Sequence, residues 1–206
     1  LAGALLVALL VVTPTAQAAR VDRFYRFENQ ARLAAAKPGD ILRSRVRTYH
    51  FMGLPTQGKA VQLLFRTTDA LGRPAAEVAT VLVPAGDYDH TQALVYGSAY
   101  DSLNAEDGPS RTLTGQKQDT GAGILGKVED LFLGTSLSNR HVVIVPDIEG
   151  QAPAFGAGPL YGTLTLDAIR AAGKSPLIGL EADARIGLVG YSGGAIATAW
   201  AAALAP

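Results

Sequence analysis

From residue 93 to its end the chain alternates short apolar runs with helix-forming stretches, and this pattern constrains the fold more than any other feature. The apolar runs are "ALVYGS" (93–98), "HVVIVPD" (141–147) and "RIGLVG" (185–190). Between and after them stand "GILGKVEDLFLG" (123–134), "YGTLTLDAIRAAG" (161–173) and a run from Gly193 onward. Strands separated by helices imply crossover connections and a parallel sheet covered by helices on both faces. Ahead of them, "VQLLFRTTD" (61–69) and "AEVATVLVPAG" (76–86) flank "ALGRPA", whose Gly72 and Pro74 mark a turn. Two runs rich in β-branched and apolar residues around such a turn predict an antiparallel hairpin that opens the sheet. The expected class is therefore α/β, with 48% hydrophobic residues over 206 positions, enough for a packed core.

The N-terminal stretch reads differently. "LAGALLVALLVV" followed by "TPTAQAA", with small residues at Ala16 and Ala18, resembles a signal peptide that has lost its basic start, since the first residue is Leu1. The apolar run is shorter than the roughly 18 to 20 residues of a spanning helix, and no cysteine offers a lipid attachment point. Secretion, to the medium or the cell envelope, is the expectation. Three segments follow: a signal peptide at 1–19, a lead-in at 20–60 without one clean period and with a turn at Pro38-Gly39-Asp40, and a partial α/β domain at 61–206. Eighteen basic residues balance eighteen acidic ones with no long run of either sign, so no footprint for nucleic acid or an anionic membrane is visible. A neutral or apolar substrate fits that balance. The residues set no oligomeric state.

"GYSGG" (190–194) satisfies G-x-S-x-G, a weak match alone in a chain with 23 glycines. Its context strengthens it, because an apolar strand runs straight in and the helix former "AIATAWAAALA" leaves, the strand-turn-helix setting of a nucleophile elbow. Gly190 and Gly194 are read as positions where a Cβ would collide across the turn. The plainer alternative is Ser192 as an N-cap of the following helix. Oxyanion donors would be the N–H of Gly193 and one from the loop "GSAYDSLNAEDGPS" (97–110), where Asp101 is the candidate, assisted by its side chain. From spacing alone Asp101 reads equally well as a solvated loop acid. Small residues in the last helix predict close packing under the elbow, so that Ala195→Leu or Ala197→Leu would cost about 1–3 kcal/mol by overpacking.

The segments "VQLLFRTTDALGRPAAEVATVLVPAG", "YDSLNAEDGPS", "VIVPDIEGQAPAFGAG" and "GYSGGAIATAWAAALAP" together resemble the secretory lipase family of actinobacteria and fungi, the Candida lipase A type. The likeness runs from about Phe24 to the end, with "DIEG" where the family usually has "DYEG". It implies a secreted α/β-hydrolase fold, a serine nucleophile at Ser192, oxyanion donors at Asp101 and Gly193, and hydrolysis of acylglycerols. Lipid or ester substrate and transient contact with a lipid interface are the implied partners.

A serine nucleophile needs a base, and the three histidines, His50, His90 and His141, all precede Ser192, whereas α/β-hydrolases follow the order Ser, acid, His. His90 and His141 also stand before their strands, at the sheet edge opposite an elbow, about 20 Å away. His50 reads as structural. The expectation is a front portion of a hydrolase, stopping after the elbow, with the catalytic acid, the histidine and a lid over the acyl pocket beyond it, and inactive alone. Asp147 and Glu149 share the elbow's edge, but without a histidine to orient they read as loop structure. "GAGILG" (121–126) matches G-x-G-x-x-G, yet the polar "SRTLTGQKQDT" before it is no strand, so no dinucleotide site is expected. Scattered histidines and zero cysteines give no metal-ligand spacing, and no cofactor is expected. The rival readings are an inactive truncated product that at most binds acyl chains, and a non-lipase esterase or acyltransferase.

Overall fold

The computed structural model describes residues 22–116 and 123–206. The leader at 1–19 and the opening of the glycine run at 121–126 lie outside them. Six strands form one sheet: β1 (Ile41–Phe51), β2 (Leu54–Thr68), β3 (Pro74–Val83), β4 (Gln92–Gly97), β5 (Val142–Pro146) and β6 (Arg185–Gly190). Among the described residues five α-helices accompany them: α1 (Gln30–Ala35), α2 (Pro109–Thr112), α3 (Gly123–Ser138), α4 (Gly158–Lys174) and α5 (Gly193–Leu204). The spatial order is β1-β2-β3-β5-β4-β6. β1, β2, β3 and β5 pair antiparallel in succession, and β4 runs parallel to both β5 and β6.

The hairpin forms where Asp69 accepts hydrogen bonds from the N–H groups of Leu71 (2.9 Å) and Arg73 (2.8 Å), while Gly72 takes φ +77°. It does not open the sheet, however. An edge strand, β1, precedes it, joined to β2 by a two-residue turn in which Met52 (φ 50°) and Gly53 (φ 78°) are both left-handed. The strand escaped the periodicity because only Leu42 and Tyr49 of its 11 residues are buried. Its arginines hold residues 22–26 instead: Arg43 donates to the Phe24 and Arg26 carbonyls, and Arg45 pairs with Asp22 (2.7 Å) while lying over the Phe24 ring.

Period-2 alternation sorts the core onto two faces. Val61, Leu63 and Phe65 of β2, with Val142 and Ile144 of β5, point to the side covered by Leu164, Ala168 and Ala171 of α4. Val143 and Val145 point to the other side, where Leu133 of α3 lies with Tyr49, Leu82 and Tyr96. β5 is buried on both faces and reads as unbroken "VVIVP". Each such side chain contributes about 1.5–3 kcal/mol by leaving water.

The last helix packs on α4 rather than standing free. Gly162 lies so near Trp200 that a Cβ there would meet the Trp200 carbonyl carbon at 2.7 Å, and one at Gly158 would overlap the indole. Ala197 and Ala201 are fully buried in that contact. Ala195 is exposed on the opposite face, which corrects the expectation that a leucine there would overpack.

Candidate active site

Only Tyr191 and Ser192 separate β6 from α5, so the chain must reverse within two residues. Ser192 does so at φ 53° and ψ −122°, a conformation that costs a non-glycine residue about 1–3 kcal/mol. The crowding around it is backbone on backbone. A Cβ at Gly190 would overlap the Gly194 carbonyl, one at Gly194 would overlap the carbonyl of Gly97, and one at Gly97 would meet the Gly194 oxygen at 2.5 Å. Gly97, at the end of β4, was missed by sequence reasoning, although a glycine closing a strand is itself a sign of close backbone approach. The serine is exposed, and its side chain makes no capping hydrogen bond to α5, so the N-cap alternative lacks the bond that defines it.

Asp101 comes to the same place from the loop after β4. Its carboxylate lies against the first residue of α5, where a Cβ on Gly193 would overlap Asp101 Oδ1. Neither the Asp101 N–H nor the Gly193 N–H has an acceptor among the described residues. The loop is held from two sides. Glu129 of α3 accepts from Ala99 N–H (2.6 Å), Ser98 Oγ (2.9 Å) and Tyr96 OH (3.2 Å). Glu149 accepts from Ser102 N–H (2.9 Å) and from Tyr161 OH (3.0 Å).

Asp147 and Glu149 are both 1% exposed and are structural posts, as loop residues after β5 were expected to be. Asp147 accepts from the N–H (2.9 Å) and hydroxyl (2.6 Å) of Ser110, whose Oγ in turn accepts from Tyr25 OH (3.1 Å). Burial pushes Asp147 up to about 6, opposed by the Ser110 hydrogen bonds and the Arg111 charge. Glu77 of β3 is pushed up to about 8, chiefly by burial and further by the nearby Asp147 charge, while it accepts from Gln151 N–H. Glu149 is raised too, again through burial, with the Asp101 charge adding to it.

No histidine reaches Ser192. The pairing of Gln92 with Arg185 and Gly97 with Gly190 puts His90 a full strand length below the elbow, and the pairing of Ala93 with Val142 does the same for His141. His90 bonds the Gly179 carbonyl through Nδ1 at 2.7 Å. His50, which sequence alone could not locate, is on β1 at the sheet edge opposite β6, five strand spacings or about 24 Å away. Its ring contacts the Thr48 carbonyl (3.1 Å) and crowds Gly115. Among the described residues no cluster of His, Cys, Asp and Glu could hold a metal ion, and no helix is long and apolar enough to cross a membrane.

A strained serine between a parallel strand and a helix, on a mixed sheet of this order, defines the α/β-hydrolase class. Residues 116–206 match the family model described as Secretory lipase. It is similar to a protein of Mycobacterium tuberculosis named as a probable inactive lipase, at 41% identity over 81% of this chain and 38% of that protein. A secreted triacylglycerol lipase of Malassezia globosa is 41% identical over 82% of this chain and 36% of its own length. Among solved structures, Candida antarctica lipase A in its closed state superposes with a TM-score of 0.79 at 30% identity, covering 90% of this chain and 42% of that one. The chain thus spans well under half the length of these relatives.

Proposed function

We propose that this chain is the nucleophile-bearing portion of a secreted lipid ester hydrolase that works through an acyl-enzyme on Ser192. The observation that carries the reading is the strained, unbonded Ser192, followed by the acceptor-free N–H of Gly193, against which Asp101 packs with its own N–H free among the described residues. In that reading Ser192 Oγ attacks the ester carbonyl as a base removes its proton, and the carbonyl oxygen moves its new charge between the two N–H groups. Collapse of the tetrahedral species expels the alcohol, which takes the proton back from the base, and water then releases the fatty acid by the same steps in reverse. With His50, His90 and His141 all remote, the base and its acid partner come from sequence beyond these 206 residues, in keeping with the greater length of the relatives. Acylglycerols are the substrate favoured by the relative named as a triacylglycerol lipase.

A second reading has one specific support, the 41% identical relative named as a probable inactive lipase. There the elbow survives without chemistry and the protein at most binds acyl chains. An intact-mass spectrum of the natural gene product, before and after a fluorophosphonate that reacts only with an activated serine, separates the two. An adduct mapped to Ser192 on a chain well above 21.4 kDa supports the hydrolase. A natural product of this length with no adduct supports the second reading.

A further inference from the structure

We infer that Glu129 and Glu149 are positioning residues that leave one N–H of the loop after β4, that of Asp101, free to join Gly193 N–H in receiving the developing oxyanion. The inference rests on the hydrolase reading above and deepens it. Four consecutive N–H groups, Ala99 to Ser102, line the loop that leaves β4. Ala99 N–H is bound by Glu129 Oε1 at 2.6 Å, Tyr100 N–H by Ser98 Oγ at 3.3 Å, and Ser102 N–H by Glu149 Oε2 at 2.9 Å. Only the third of the four lacks an acceptor among the described residues, and it is the one beside α5. Fixing the amides on either side fixes the peptide planes that aim it, so the donor is set before charge arrives.

Carboxylates suit this task because an ionised acid only accepts hydrogen bonds. An amide in the same place would present an N–H₂ to one of the loop's own donors. Each acid has an anchor outside the loop, Glu129 on α3 by Tyr96 OH (3.2 Å) and Glu149 by Tyr161 OH (3.0 Å), and Glu149 N–H also donates to Tyr100 OH of the loop itself (3.1 Å). Clamps from two separate elements on one four-residue stretch exceed what ordering a surface loop requires.

The test compares Glu129→Gln and Glu149→Gln with wild type in the natural gene product. It reads the fluorophosphonate reaction rate at Ser192, the kcat and KM for a soluble ester, and thermal unfolding. Each variant should lose roughly tenfold in kcat and in phosphonylation rate, with KM nearly unchanged, short of the ~10²–10³ lost when a donor is removed outright. A purely structural role would lower the unfolding temperature and leave both rates of the folded variant alone, which overturns the inference. Where either variant fails to fold, Ser98→Ala serves, since it deletes the acceptor of Tyr100 N–H and one contact to Glu129; a severalfold slower reaction supports the clamp and an unchanged rate overturns it. A wild-type protein that takes no label at Ser192 would overturn the hydrolase reading itself, and this inference with it.

Discussion

The two halves of the sheet are built on different rules. In the antiparallel half, β1 to β3, alternate side chains carry the structure: Val61, Leu63 and Phe65 fill one face, and polar groups serve turns, the docking of residues 22–27 and contacts across the fold such as Thr67 to Asp167 and Glu77 to Gln151 N–H. In the parallel half, at the upper ends of β4 and β6, backbone touches backbone. Gly97, Gly190 and Gly194 meet without side chains, and the loops above them hang from buried carboxylates rather than apolar anchors. Apolar packing dominates the first region, and backbone crowding dominates the second. Removing atoms should therefore hurt one half and adding atoms the other.

The largest expected effect tests the first rule. Phe65→Ala, at a fully buried position of β2, should cost about 3–5 kcal/mol in urea unfolding, yet leave the folded fraction labelled at Ser192 at the wild-type rate. A changed labelling rate would mean that the halves are not separable. Gly194→Ala tests the second rule, because one methyl group there overlaps the Gly97 carbonyl. We expect about 1–3 kcal/mol of destabilisation and loss of labelling, measured together. Normal labelling would show that the elbow can open without losing its geometry.

Sequence made the parallel half legible because its elements sit in their simplest setting: "RIGLVG" matches β6 residue for residue, and α5 begins at Gly193 as read. The G-x-S-x-G spacing located Ser192 since the reversal itself demands small neighbours. β1 was illegible for the opposite reason, as an edge strand with exposed arginines has no apolar alternation to show. The roles of Glu129, Glu77 and Gly97 were hidden as well. Each acts through a contact across the fold, 30 residues away for Glu129 and Ala99, 74 for Glu77 and Gln151, and 97 for Gly97 and Gly194 by number, which no local pattern encodes.

The buried acids give the comparison a pH dependence. Glu77 has a folded pKa of about 8 against 4.5 for the free side chain, and Asp147 about 6 against 3.8. A raised carboxyl means that the folded state holds a proton the unfolded state has released, so stability falls as pH rises between the two values. Asp147 contributes this loss between about 4 and 6, and Glu77 continues it to about 8. Glu77→Gln removes the upper limb: its melting temperature should stay nearly flat from pH 6 to 8, where wild type drops by several degrees. Equal slopes in the two proteins would show that Glu77 is ionised in the fold. Asp22, Asp40, Asp69 and Asp89 are shifted downward and act oppositely, their contribution being lost only as pH falls below the ordinary carboxylate range.

The smallest effect draws the boundary between the two rules within one helix. Ala197 and Ala195 of α5 are two residues apart, so they face opposite sides, and the first is fully buried beside Ile148 and Tyr161 while the second is exposed. Ala197→Leu should cost about 1–3 kcal/mol by overpacking, and Ala195→Leu should stay within about 0.5 kcal/mol of wild type. The exposed side of α5 also carries Ile196 at 42% and Trp200 at 40% exposure, next to a β6 that is itself only half covered. If the longer protein folds further chain over that side, Ala195→Leu becomes costly in the whole gene product while remaining neutral in these 206 residues. The difference between the two measurements reports how much of the elbow's outer face the rest of the protein covers.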